Sequence, residues 1–180
     1  MRADQGQLWQ VMRAQTADAF ALAALELQLS REQGGAGETG FLDRYADAWL
    51  ADSDRRPAWI AKSFDGSPRG GVTLFVVDGL PRPGRLSRPW VHVTNLYVTP
   101  GARRMGAGEE LLRSALAWCR DNRAMWVQLR VGSGGGSSLY RRAGFTSADA
   151  RLVRLDLPGP GRAHLPSSGR RAGLGSAYGD

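Results

Sequence analysis

Residues Trp90–Leu116 read WVHVTNLYVTPGARRMGAGEELLRSAL and combine a strand, a glycine-containing turn and a helix. An apolar, β-branched run extends to Val98 and breaks at Thr99-Pro100-Gly101, which is typical of a strand that ends in a turn. Gly106 and Gly108 then precede a helical pattern led by carboxylates. Such a turn presents backbone N–H groups at the positive end of a helix, beside two arginines. The stretch therefore predicts a phosphate site.

The rest of the chain predicts a mixed α/β domain around this stretch. Strands are predicted at 8–12, 59–64, 71–78, 125–131 and 151–157, and further helices at 16–29, 41–50 and 137–143. Thr16 has the side chain of an N-cap for the first of these helices. We expect an α/β (α+β) fold in which about four helices flank a mixed, mostly antiparallel sheet of six to seven strands.

Composition divides the chain at residue 157, and charge divides it at residue 54. Residues 1–157 contain the periodic apolar positions of one folded domain, whereas residues 158–180 are rich in Gly, Pro, Ser and Arg and predict a disordered tail. The first 54 residues hold nine acidic and four basic residues, a net charge of −5, and the remainder holds twenty basic and eight acidic residues, a net +12. This asymmetry indicates two binding tasks rather than one.

Several classes of protein are not expected. No run of 18 apolar residues is present, so we expect no membrane partner, and the N-terminus lacks a secretory pattern. Cys119 is the single cysteine, which excludes an intrachain disulfide and fits a cytoplasmic protein. With only His92 and His164 beside it, no metal cluster is predicted.

Three groups of residues carry a resemblance to a known family. They are Leu96-Tyr97-Val98-x-Pro100, Arg103-x-x-Gly106-x-Gly108 and Leu139-Tyr140-x-x-x-Gly144-Phe145. Over residues 7–157 the chain resembles the GNAT superfamily of acetyl-CoA-dependent N-acyltransferases, whose cofactor turn reads Gln/Arg-x-x-Gly-x-Gly/Ala. Short glycine patterns recur by chance, but two motifs in the right order on the expected elements are specific together.

The resemblance implies acetyl-CoA as co-substrate, without a metal. The turn would hold the pyrophosphate, pantetheine would lie along the strand ending at Val98 like an added β-strand, and the Val98 N–H would be an oxyanion donor. Ser133 stands where members of the family often have an Asn whose amide hydrogen-bonds the pantetheine. Ser137 is the candidate to make that hydrogen bond instead. The residues implied to bind the cofactor are Leu96, Tyr97, Val98, Arg103, Arg104, Met105, Gly106, Ala107, Gly108, Ser133 and Ser137.

The implied reaction is direct transfer of the acetyl group to a primary amine. An alkylammonium has a pKa near 10.4, so only about one molecule in 10³ is nucleophilic at pH 7. Tyr140 matches the family's tyrosine acid, which protonates the departing thiolate. The base is open: His92 is on the strand beside the cofactor, and Glu38 and Asp43 are alternatives. We expect Asn95 on the opposite face of that strand, where it could bind a water or the substrate.

The resemblance also indicates the acceptor. In this family the first two helices and their loop build the acceptor pocket, and carboxylates there would attract an ammonium group of a small molecule or peptide. The acidic residues in question are Glu26, Glu32, Glu38, Asp43 and Asp47. Two alternatives remain, a non-catalytic acyl-CoA-binding regulatory module and a basic nucleic-acid binder. The phosphates of CoA account for the basic charge, so nucleic acid is not an expected partner, while a homodimer is left open.

Overall fold

The computed structural model describes residues 8–81, 83–84, 87–131 and 137–147. The strands are β1 (Gln10–Arg13), β2 (Ala58–Lys62), β3 (Pro68–Val77), β4 (Trp90–Val98) and β5 (Val127–Leu129). The helices are α1 (Ala19–Glu32), α2 (Phe41–Ala51), α3 (Ala107–Asp121) and the short α4 (Ser137–Arg142). These elements follow the order expected from the sequence, with strand ends moved by one to three residues.

The five strands form one sheet in the order β1-β2-β3-β4-β5. The first three pairings are antiparallel, and β5 pairs with β4 in parallel. The predicted fold class, a mixed and mostly antiparallel sheet with flanking helices, is confirmed. The predicted strand 151–157 and the predicted tail 158–180 lie outside the described residues, so the division of the chain at residue 157 stays a prediction.

The sheet separates two apolar clusters. On one face Leu111 of α3 packs against alternate residues of the central strands, including Trp59, Val72 and Leu74. On the other face Leu22 and Leu25 of α1 and Trp49 of α2 pack against the intervening strand residues, including Ile60 and Tyr97. Strand periodicity thus assigns neighbouring residues to opposite layers. We call the first face the α3 side and the second the α1–α2 side.

The start of α1 differs from the prediction for Thr16. A 3₁₀ turn, Thr16–Asp18, precedes the helix. The Gln15 N–H donates to the Asp18 carboxylate at 2.9 Å, and Asp18 is itself buried and paired with Lys62. The predicted N-cap at Thr16 is therefore wrong: a carboxylate three residues beyond Gln15 satisfies the free N–H there instead.

A β-bulge interrupts β4 at Thr94. Thr73 pairs with Asn95, whereas the next residue of β3, Leu74, pairs with Val93, so Thr94 is an extra residue. The Thr94 hydroxyl donates to the carbonyl of Thr73 at 2.9 Å. Because strand side chains alternate, one extra residue shifts every later side chain to the other face.

This shift corrects the expectation for Asn95. Before the bulge, Val91 and Val93 belong to the α3 side, which turns His92 to the α1–α2 side. After the bulge, Leu96 and Val98 pack on the α3 side, and Asn95 therefore also turns to the α1–α2 side. His92 and Asn95 share a face, and the prediction of opposite faces, made by counting alternate residues, is wrong.

Strands β4 and β5 are paired only over the three residues of β5. Their parallel pairing runs from Val91 with Val127 to Val93 with Leu129. Farther along, Leu96 and Val98 of β4 and Val131 after β5 line a cavity between the two chain segments. The end of β4 is thus paired with β3 on one edge and faces the cavity on the other.

Candidate active site

The cavity has a volume of about 950 Å³ and lies between four parts of the fold. Its walls are the end of β4, the turn that begins α3, helix α4 and the C-terminal end of α1. Its size is in the range of sites for a cofactor or a drug-sized ligand. Of the residues predicted to bind the cofactor, seven line it: Leu96, Tyr97, Val98, Arg103, Arg104, Gly106 and Gly108.

The turn before α3 has the backbone geometry that its sequence requires. Gly106 has φ of +96° and stands immediately before the first helical residue, and Arg104 also has a positive φ, of 61°. The Gly106 carbonyl accepts from the N–H groups of Glu109 and Glu110 at 3.0 Å each. The N–H groups of Ala107 and Gly108 belong to the first turn, which has no acceptors within the helix. They lie at the positive end of the helix dipole, where an anion is stabilised.

Gly108 lies where the turn approaches β4. A Cβ built there would lie 3.4 Å from Cγ2 of Val98 and 3.7 Å from Cδ2 of Leu139, which is ordinary contact. A larger side chain would extend into the cavity between the end of β4 and α4. The glycine therefore keeps this space open rather than relieving a clash within the protein.

The side chain of Arg103 contacts two other residues of the protein, Val98 and Glu32. Its Nε donates to the Val98 carbonyl at 2.9 Å, and its guanidinium forms an ion pair with Glu32 at the end of α1. The hydroxyl of Tyr97 donates to the same carboxylate at 2.6 Å. These contacts hold the pKa of Glu32 below its usual value, the Tyr97 hydrogen bond most, while burial and the carboxylate raise the pKa of Tyr97 to about 12. Arg103 thus ties α1 to β4 and the turn.

The other charged side chains at the cavity are solvent-exposed. Arg104 lines the cavity beside the turn. Arg142 of α4 also lines it and lies 3.6 Å from Glu109 of α3, with both side chains more than half exposed. Screened pairs of this kind contribute little to stability. Arg104 and Arg142 are therefore available to reorient toward a bound phosphate.

Tyr140 lines the cavity from α4 and is held by the residues that follow it. Gly144, with φ of +92°, ends the helix, and the N–H of Phe145 donates to the Tyr140 carbonyl at 3.0 Å. The Phe145 ring packs edge-on against the Tyr140 ring, with centroids 6.0 Å apart. Burial raises the pKa of Tyr140, so the phenol keeps its proton at neutral pH. The Gly-Phe pair of the motif thus orients the tyrosine.

The remaining predicted residues are placed differently. Ala107 is buried beneath the turn in the core, and Met105 is half exposed and outside the cavity lining. Ser133 lies outside the described residues, and only the backbone position of Ser137, at the start of α4, is described. His92 pairs across strands with Phe75 and Gln128, away from the cavity lining.

His92 has a distinct environment of its own. Its Nδ1 is buried and has no hydrogen-bond partner among the described residues. Burial, and then the positive charge of Arg130, lower its pKa, so the imidazole is neutral at pH 7. His92 and Leu96 are four strand residues apart, roughly 13 Å. A direct base must lie within hydrogen-bond distance of the acceptor proton that it removes. His92 as base stays a prediction that this placement does not favour.

The pairing of Glu26 with Asn95 on the α1–α2 side was not predicted from the sequence. Asn95 donates through Nδ2 to the carboxylate of Glu26 on α1. Tyr45 of α2 packs on the same side of the sheet, and burial, followed by the Glu26 charge, raises its pKa. Burial raises the pKa of Glu26, and the Asn95 hydrogen bond partly offsets this. Glu26 was visible in the sequence only as one of five carboxylates.

The other candidate bases, Glu38 and Asp43, are both exposed. Glu38 lies in the exposed loop before α2 and pairs with Arg44 at 2.6 Å, with both side chains more than half exposed. Asp43 is exposed in the first turn of α2. Neither residue lines the cavity. Their pattern in the sequence did not separate them from Glu26, because only tertiary contacts do so.

Comparison with known proteins identifies the family. The sequence model of the acetyltransferase (GNAT) family matches residues 22–145. The chain belongs to this family, and the family assignment made from the motifs is confirmed. No curated protein sequence matches the chain.

Solved structures share the fold. A predicted acetyltransferase with acetyl-CoA from Clostridium acetobutylicum is 17% identical with a TM-score of 0.68, and the match covers 82% of this chain and 96% of that one. A possible acetyltransferase from Clostridium difficile 630 is 16% identical with a TM-score of 0.70, covering 85% and 100%. An acetyltransferase from Trypanosoma brucei is 22% identical with a TM-score of 0.62, covering 83% and 99%. At such identities the likeness establishes the fold.

Two features are absent from the described residues. None of their helices is long and apolar enough to cross a membrane. They contain no group of three or more His, Cys, Asp or Glu side chains arranged to hold a metal ion.

Proposed function

We propose that this protein transfers the acetyl group of acetyl-CoA to a primary amine by direct attack. The observation that carries the proposal is the joint opening of three features into one cavity: the β5-facing edge of β4, the N-terminal turn of α3 and the Tyr140 phenol. Membership of the acetyltransferase (GNAT) family and the acetyl-CoA of one structural neighbour point to the same cofactor.

Each part of acetyl-CoA fits a different wall of the cavity. The pyrophosphate fits the first N–H groups of α3, with Arg104 and Arg142 near enough to neutralise charge. The pantetheine arm fits along Leu96–Val98, where pairing with β5 has ended and an extended chain can add to the strand edge. The Val98 N–H would then stabilise the negative charge that develops on the thioester oxygen.

In this chemistry the acceptor nitrogen loses two protons and the leaving thiolate gains one. The acceptor ammonium loses a proton, and its nitrogen attacks the thioester carbon, forming a C–N bond and a tetrahedral intermediate. The C–S bond then breaks, and Tyr140 donates its proton to the leaving thiolate. The nitrogen loses a second proton as the amide forms, Tyr140 is reprotonated, and one proton in total passes to solvent. His92 remains the sequence-derived candidate for the base, alongside water in the cavity.

The test is an assay of thiol release from acetyl-CoA with a panel of primary amines, accompanied by mass spectrometry of the amine. Thiol release that depends on the amine, with an acetylated product, would establish the activity. Release without acetylated amine would mean hydrolysis and would refute the proposal. Tight binding of CoA without turnover on any amine would favour the alternative, an acyl-CoA-binding regulatory module.

A further inference from the structure

Glu26 has a half-buried carboxylate that faces the sheet from α1. The face of α1 that meets the sheet includes Leu22, Leu25, Glu26 and Leu29, which follow helical spacing. Two of these, Leu22 and Leu25, lie in the α1–α2 core against Gly71. Glu26 therefore takes a position in the apolar stripe of its helix, where an apolar side chain would bury more favourably.

The described contacts of Glu26 are neutral. Asn95 donates to its carboxylate, and its negative charge contributes to raising the pKa of Tyr45 on α2. Among the described residues, no arginine, lysine or histidine forms an ion pair with it, whereas Glu32 on the same helix is paired with Arg103. A half-buried carboxylate without a cation is costly, because burial disfavours the charged form. One positive charge beside Glu26 would neutralise its carboxylate.

Neither Glu26 nor Asn95 is among the residues that line the cavity, but residues close to both of them are. Leu29, one helical turn further along α1, lines the cavity, and so does Leu96, the residue after Asn95. Asn95 precedes Val98 by three strand residues, roughly 10 Å. The Glu26–Asn95 pair is thus separated from the proposed thioester position by the length of a small amine.

We propose that Glu26, held by Asn95, is the anionic anchor for a second ammonium group of the acceptor, and that the acceptors are diamines whose other amine nitrogen attacks the thioester. This inference rests on the proposed function for its reaction, but the binding of the ammonium does not depend on turnover. An ammonium ion provides the missing positive charge and donates to a carboxylate oriented by the Asn95 amide. Asn95 donates to Oε2 of Glu26, and no hydrogen bond from another described residue reaches the other carboxylate oxygen.

A structural role for Glu26 makes a different prediction. If the Glu26–Asn95 hydrogen bond only joined α1 to β4, an amide at position 26 would serve as well, because Gln can accept from the Asn95 Nδ2. Glu26→Gln keeps the shape and the hydrogen bond and removes the charge. Glu38→Gln is the matched control, since it removes the same charge from the same acidic segment at an exposed position.

The decisive measurement is calorimetric titration of amines into protein saturated with CoA. The probes are n-butylamine, benzylamine and 1,4-diaminobutane, which are ammonium ions at pH 7, and aniline, which is uncharged. We expect Glu26→Gln to weaken binding of the ammonium probes about tenfold or more, to leave aniline within about twofold, and to leave CoA binding unchanged. Glu38→Gln should behave like the parent protein.

The outcomes separate this inference from the proposed function. If amines are acetylated but Glu26→Gln and Glu38→Gln bind ammonium probes equally, the anchor is wrong and the activity stands. If ammonium probes bind through Glu26 and no amine is acetylated, the anchor stands and the activity is wrong. Failure of every ammonium probe to bind the parent protein also overturns the anchor. Should Glu26→Gln not fold, Glu26→Asp, which keeps the charge on a shorter side chain, should retain the preference for ammonium over aniline.

Discussion

The two sides of β4 recognise their proposed ligands by different means. On the α3 side, the site consists largely of backbone: the first N–H groups of α3, the open edge of β4 and a glycine that leaves room. On the α1–α2 side, it consists of side chains, with the Glu26 carboxylate oriented by Asn95. Backbone recognition is insensitive to most side-chain substitutions, whereas a site made from one carboxylate can be abolished or altered by a single change.

This difference suggests how the family could vary its acceptors while keeping its cofactor. The described side-chain contacts of Glu26 and Asn95 are with each other and with Tyr45, so changes at these two positions should leave the turn and α4 in place. The link between the two sides is Glu32, which binds Arg103 from the end of α1. The following predictions test whether the two sides are as separable as the contacts indicate.

The largest effect is expected for Tyr140→Phe. The phenol would be the proton donor to the thiolate, so kcat should fall about 10²-fold or more while the Kd of CoA stays unchanged. Because burial raises the pKa of Tyr140, the parent kcat should not decline on the alkaline side before about pH 10. Steady-state kinetics across pH provide the measurement, with Ser138→Ala, another residue of the cavity wall, as the control. An unchanged kcat would remove Tyr140 from the mechanism.

The next largest effect is expected for Gly108→Val. Its side chain would enter the cavity between Val98 and Leu139, where the pyrophosphate is proposed to approach, and should weaken CoA binding about tenfold. Gly101→Val is the matched control, because a Cβ there meets no atom within 4 Å. Calorimetric titration of CoA measures both. Equal affinities in two folded variants would contradict the placement of the cofactor.

Much of the α3 side could be predicted from the sequence because its signals are local. Gly106, Gly108 and Tyr140 lie within short motifs whose residues are neighbours in both sequence and space. The α1–α2 side depends on distant contacts: Asn95 meets Glu26 across 69 positions, and Arg103 meets Glu32 across 71. The bulge at Thr94 likewise depends on pairing with β3, so counting along β4 alone gave the wrong face for Asn95.

A smaller effect separates the two arginines of the turn. Arg104→Gln should weaken CoA binding about threefold, and less at high salt, because its guanidinium is exposed and free to meet a phosphate. Arg103→Gln should change the Kd less and lower the melting temperature instead, since Arg103 is bound to Glu32 and the Val98 carbonyl. Titration of CoA at two salt concentrations and thermal unfolding distinguish them. If Arg103→Gln weakened CoA binding more than Arg104→Gln did, CoA would displace Glu32 from Arg103.

The smallest effect concerns stability on the α1–α2 side. Burial raises the folded-state pKa of Glu26 above its ordinary value of 4.5, so the folded protein holds this proton more tightly than the unfolded chain. Stability should therefore fall as pH rises from below 4.5 through the folded-state pKa, and stay lower above it. Glu26→Gln should melt above the parent at pH 7, and the difference should vanish on acidification. A variant that melts lower at pH 7 would indicate that the carboxylate stabilises the fold.

Thr94 makes β4 one residue longer than its pairing with β3 requires. Deleting Thr94 would leave Val93 opposite Leu74 and Asn95 opposite Thr73, so the bulge would disappear and every later side chain would keep its face. Homologous chains should therefore tolerate a single-residue gap at this position. A single-residue deletion elsewhere in the strand would preserve the faces of the later residues only if the bulge were lost at the same time.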